Sequence, residues 1–245
     1  MPASAALEPI EFSAIVQARS LMIILAAYSF LTLHSASFDQ LLPLLGNAST
    51  DTAGLGLPCS FTPLIVVLAA VAAAAVVCRW CPAAVARLGL LPLFRACCFV
   101  FPLLYAAAPL LSKLARGSQL GLMAAALVSV FVKTLATGCA QTLVAILVTN
   151  ASPDPYSLAT IMGFVQCASG VRSLAVAGTA VAYAVGSGVS VWTTNVGLWG
   201  TMAGVGAVGA AAAWFVRDHP TVSDYSASLK WEVCYDVLEH GKEEA

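Results

Sequence analysis

The chain has 245 residues, 60% of them hydrophobic and only 9% charged, with a net charge of -1 and a mean hydropathy of +0.90. Soluble domains carry about 25% charged residues, so this chain cannot wet a globular surface, and its apolar content excludes disorder. The balanced charge offers no phosphate-neutralising surface and excludes a nucleic-acid binder. The composition is that of an all-α integral membrane protein.

A helix needs about 20 mostly apolar residues to cross the hydrocarbon, and six stretches meet that length. The lead, residues 1–19, carries Glu8 and Glu11 and no cleavable signal pattern, so the first span is expected to insert uncleaved. That span runs from Ser20 to about Phe38, and the loop Asp39–Ser60 follows it. The second covers Phe61–Cys78, and the third Phe94–Leu111 with Arg95 at its edge. The fourth runs Leu120–Thr149, the fifth Ser157–Val185 and the sixth Val189–Phe215. Residues 20–216 thus form one bundle. The tail 217–245 is acidic, and its Trp231, Cys234, Tyr235 and Leu238 follow the spacing of a short amphipathic helix. Barrel-type alternation is absent.

Orientation follows the arginines and lysines at the span ends. With both termini cytoplasmic, Arg19, Arg79, Arg87, Arg95 and Arg217 fall inside, and Lys113 and Arg116 outside. The sequon Asn47-Ala48-Ser49 then faces the compartment of glycosylation, which makes Asn47 the candidate acceptor.

The eight cysteines lie mostly in or beside apolar runs and read as free buried thiols. Cys78-x-x-Cys81 has metal-ligand spacing, but no second Cys or His pair accompanies it, so neither a metal nor a cofactor is expected. No HExxH, GxSxG, Walker A or paired-carboxylate spacing occurs, and the chain does not read as an enzyme. Gly200-x-x-x-Gly204 is a helix-packing signature.

Two charges interrupt apolar runs. Lys133 and Arg172 each lie where an ionised group costs roughly 2.5–3.5 kcal/mol on insertion scales, so each is expected to face the bundle interior or water. Ser129, Lys133, Thr137 and Gln141 recur every four residues and share one helical face. In the fifth span Gln166, Ser169, Arg172 and Ser173 cluster within two turns, with Gly163, Gly170 and Gly178 as small contact positions. His34, a side chain that titrates near neutrality, stands near Ser35, Ser37, Asp39 and Gln40. Together these are the ingredients of a polar pathway. Ser129, Lys133, Thr137, Gln141, Gln166 and Arg172 are its candidate lining, and Asp39 and His34 its candidate proton carriers. Each also has a structural reading: Lys133 snorkelling or bonded to a carbonyl, Arg172 tethering its helix, His34 satisfied in the bundle, Asp39 capping a helix end.

The run from Leu31 to Pro43, and above all its Ser-Phe-Asp-Gln-Leu-Leu-Pro string, resembles the seventh transmembrane helix of fungal major facilitator superfamily transporters. The similar branch includes the plant zinc-induced-facilitator-like and multidrug-type proteins. Arg87-Leu88-Gly89 with Phe94-Arg95, then Lys133, Thr149-Asn150-Ala151-Ser152-Pro153, Gly163 and Arg172 follow in the order of that branch. The resemblance spans about residues 20–216. It departs from the branch at Ala159, at Met162 and at Ala175-Val176, where a Gly-Pro pair is usual.

The resemblance implies one six-helix half of the major facilitator fold, built from two inverted three-helix repeats. The function it implies is transmembrane transport of a small organic solute or drug-like compound, proton-coupled and carried out with a second copy or a separate six-helix half. The implied setting is the bilayer of a plasma or vacuolar membrane. The alternatives are a truncated half-transporter remnant and a non-transporting membrane scaffold.

Overall fold

The computed structural model describes residues 19–48, 55–58, 61–115, 117–151, 158–186 and 191–217. They form six helices: α1 (Arg19–Asn47), α2 (Phe61–Leu88), α3 (Leu90–Ala115), α4 (Gln119–Ala151), α5 (Leu158–Gly186) and α6 (Val191–Phe215). All six are long and apolar enough to cross a membrane. The chain is therefore a multi-pass membrane protein by the length and composition of its helices. The lead 1–18 and most of the tail, including the expected amphipathic helix around Trp231, lie outside the described residues.

Every expected span has its helix, but three helices outrun the apolar stretch that announces them. α1 continues past Phe38 through Asp39, Gln40 and Pro43 to Asn47, because its polar end is matched by partners on α4 and α2. α2 continues past Cys78 to Leu88. It ends only at Gly89, whose φ of 86° no side-chain-bearing residue adopts cheaply and whose amide bonds the Val85 carbonyl at 2.9 Å. α3 begins at Leu90, four residues before the expected Phe94, and takes Pro92 into its first turn, where a missing amide hydrogen costs nothing.

The packing pairs have an internal order. α1 packs on α5 and α6, as α4 packs on α2 and α3; α1 meets α4, and α3 meets α6. Exchanging α1 with α4, α2 with α5 and α3 with α6 leaves the set of contacting pairs unchanged. α1 and α4 run antiparallel, because Ser35 lies opposite Thr137 and, one turn on, Asp39 lies opposite Lys133. α2 and α5 are the peripheral members.

The core follows α1, α3 and α4, with Leu21, Ile24, Phe94, Phe101, Tyr105 and Leu143 all buried. Val67, Leu68 and Val71 of α2 are exposed, as suits a face against lipid. At one end, Arg95 at the start of α3 donates to the carbonyls of Trp214 and Val216 at the end of α6, each at 3.0 Å. The start of α1 reaches the same end, where Arg19 and Arg217 border one cavity. At the other end the Leu57 amide bonds the Gly46 carbonyl, and Leu55 and Leu57 pack on Leu122 of α4.

The close approach on α6 falls at Gly206 and Gly209 rather than at the expected Gly200 and Gly204. A Cβ on Gly206 would lie 3.5–3.6 Å from Pro102 and Tyr105, and one on Gly209 would lie 3.1 Å from the Phe30 Cβ. Gly200 and Gly204 have nothing within 4 Å among the described residues, and neither do Gly163, Gly170 and Gly178 of α5. The reason is rotational: α6 turns its later glycines toward α1 and α3, whereas Gly178 of α5 borders open space beside α1 rather than a packed neighbour.

This geometry separates two glycine substitutions. Gly209→Leu should destabilise the bundle by about 1–3 kcal/mol through overpacking, lowering the thermal unfolding midpoint in detergent. Gly204→Leu should leave that midpoint unchanged.

Candidate functional site

The antiparallel seam of α1 and α4 gathers the polar residues. Lys133 Nζ donates to Asp39 Oδ1 at 2.6 Å. The lysine side chain is 5% exposed and the aspartate 50%, so the pair lies where packed interior gives way to an open face. Pro43, four residues after Asp39, has no amide hydrogen for the Asp39 carbonyl, so the helix backbone loses a bond beside the ion pair. Nζ also lies 5.6 Å from the Phe38 ring centroid, within cation–π range.

One turn toward the chain ends, Thr137 Oγ1 donates to the Lys133 carbonyl at 2.9 Å. The same oxygen lies 3.4 Å from Ser35 Oγ. Ser129 lies on the other side of Lys133 and donates to the Ala125 carbonyl of its own helix at 2.8 Å. Gln141, the fourth member of the stripe, is exposed.

His34 is buried beside this seam. The Tyr105 hydroxyl donates to the His34 carbonyl at 3.3 Å, and His34 Nδ1 lies 2.9 Å from the same hydroxyl oxygen. The hydroxyl has one proton for these two contacts, so the imidazole tautomer decides which nitrogen or oxygen receives it. Nε2 lies toward Gly209. Phe101 packs on the imidazole with centroids 4.6 Å apart. Phe38 stacks on Tyr105 at 5.7 Å, and Trp199 meets Phe38 edge-on at 5.6 Å. The aromatic group touches both His34 and, through Phe38, the Lys133 ammonium.

The expected lining therefore divides. Asp39, Lys133, Thr137 and Ser129 share one seam, with His34 behind it. Gln141, Gln166 and Arg172 are exposed on their helices. Arg172 is near enough for its charge to act on Tyr28 and on Lys133, and among the described residues the one ion pair is Lys133–Asp39. Between α1, α5 and α6 an open cavity of about 220 Å³ is lined by Leu33, Ser37, Leu41, Gly178, Thr179 and Thr201 among others.

Tyr105 was not legible as a member of the site. The signal for it is general: a tyrosine deep in an apolar span must find a partner for its hydroxyl. Thr62 Oγ1 donates to Asn47 Oδ1 at 3.3 Å; Ser49 of that sequon lies outside the described residues. Cys78 is exposed and Cys81 buried, and among the described residues no three His, Cys, Asp or Glu side chains converge as metal ligands. No family model, curated protein or solved structure matches this chain.

The unequal exposure of the ion pair predicts unequal costs. Asp39→Asn strands a buried ammonium, the situation in which breaking a buried pair costs about 3–5 kcal/mol, whereas Lys133→Met leaves a carboxylate that is already half-exposed. The first should lower the thermal midpoint clearly more than the second, and the double variant should recover most of the loss. Equal effects from the two single variants would show that the pair is not buried asymmetrically.

Proposed function

We propose that this chain is a six-helix half of a major facilitator-type secondary transporter, moving a small organic solute by coupling to protons. The observation that carries the reading is the Lys133–Asp39 pair. A buried ammonium meets a half-exposed carboxylate on the first helices of the two three-helix sets. A carboxylate open on one side and paired on the other can exchange its lysine partner for a proton. That exchange is a means of linking protonation to movement of α1 against α4.

Three further features support the reading. The packing pairs repeat under exchange of the two three-helix sets. Because three is odd, the second set enters the membrane from the opposite side, which makes the repeat inverted. On α5, Gln166, Arg172 and Ser173 are exposed in a span where polar groups normally face protein or a water-filled cavity. The Ser-Phe-Asp-Gln-Leu-Leu-Pro string resembles the seventh helix of that superfamily and contains Asp39 itself. In this reading a second copy or a separate six-helix half covers the exposed face of α5, the solute path runs between the halves, and the termini are cytoplasmic.

Accessibility and flux test the reading together. In a cysteine-free background, single cysteines at positions 133, 166 and 172 should react with a membrane-impermeant maleimide, and one at the lipid-facing position 68 should not. Proteoliposomes should take up ethidium under a proton gradient, and Lys133→Leu should abolish uptake while leaving insertion intact. Labelling closed at both 133 and 172, or uptake unchanged by Lys133→Leu, overturns the proposal.

A further inference from the structure

At the end of the bundle where α1 begins and α6 ends, Arg19, Ser20, Ile23, Phe215 and Arg217 line an open cavity of about 390 Å³. That volume lies within the roughly 300–1,000 Å³ of small-ligand sites. Two guanidinium groups border it, and among the described residues no acidic side chain lines it. Among the described residues neither arginine has a hydrogen-bond or ion-pair partner.

A third arginine prepares the site without occupying it. The end of a helix carries unbonded carbonyls and partial negative charge, which repels anions. Here Arg95 bonds the carbonyls of Trp214 and Val216 at 3.0 Å and approaches that of Ala213 at 3.5 Å. Its guanidinium also lies over the Trp214 ring, 5.0 Å from the centroid. The end of α6 is thereby neutralised, and Arg19 and Arg217 remain for an external anion.

The location selects which anion. The membrane-spanning part of α1 starts at Arg19 and that of α6 ends at Phe215, so the cavity opens at the level where hydrocarbon meets headgroups. Ile23 lines it one turn deeper than Arg19, and Phe215 is 69% exposed beside it, with Trp214 equally open. Guanidinium groups match phosphate oxygens in fork geometry, and basic pockets between transmembrane helices suit anionic headgroups. We infer that this cavity binds the phosphate of an anionic phospholipid, its acyl chains lying along Ile23 and Phe215. The site does not depend on the transport reading.

Native mass spectrometry of the full-length chain, released from membranes of phosphatidylcholine and phosphatidylglycerol in equal parts, tests the assignment. The chain should retain phosphatidylglycerol preferentially. Arg19→Gln/Arg217→Gln should reduce that retention by about tenfold or more, and Arg87→Gln at the end of α2 should not. Should the double variant misfold, Arg217→Gln alone should still lower retention by about threefold. Millimolar inorganic phosphate should not displace the lipid. Equal retention of both lipids, retention indifferent to the arginines, or displacement by free phosphate overturns the inference. So does lipid retention that appears only after the acidic residues of 218–245 are neutralised, because the tail would then be the occupant.

Discussion

An ionised group inside a membrane protein must find either an opposite charge or water, and the arrangement of this bundle answers that requirement at Lys133. An unpaired ammonium at bilayer depth costs several kcal/mol. The Asp39 carboxylate 2.6 Å away removes most of that cost without making the pair a large source of net stability. What the pair supplies is register. Asp39 opposite Lys133 and Ser35 opposite Thr137 set how far α1 slides along α4. The other contacts of α1 inherit that setting, including the approach of Gly209 to Phe30 and His34.

The bundle is symmetric in its contacts and asymmetric in its chemistry. α2 and α5 occupy corresponding peripheral positions, yet α2 exposes Val67, Leu68 and Val71, which lipid satisfies. α5 exposes Gln166, Arg172 and Ser173, which lipid does not. The open side of the ion pair and the polar face of α5 are therefore the two surfaces that call for water or a protein partner, one on α1 and the other on a helix packed against it. The proposed pathway runs where those demands coincide.

The arginines at the chain-end face do different work despite identical chemistry. Arg95 is spent on the carbonyls of α6 and on Trp214, and it joins α3 to α6. Arg19 and Arg217 border a cavity instead. Counting charges by side of the membrane treats all of them alike; only their partners distinguish a fastening from a recognition group.

Six apolar runs, each long enough to cross hydrocarbon, determined by themselves that this is a helical multi-pass membrane protein. Length against bilayer thickness is a property of the chain read in order. The same holds for the four-residue stripe of Ser129, Lys133, Thr137 and Gln141, because helical periodicity is local. Where helices end was less legible, as at α1, which continues through Asp39 and Pro43 despite the hydrogen bond lost at the proline, with Lys133 of α4 as the counter-charge. Which partner Lys133 takes, why Tyr105 belongs beside His34, and which glycines of α6 meet a neighbour depended on the rotation and register of helices far apart in the chain. Those quantities come from packing between elements, and a pattern along one helix carries no record of the face its neighbour presents.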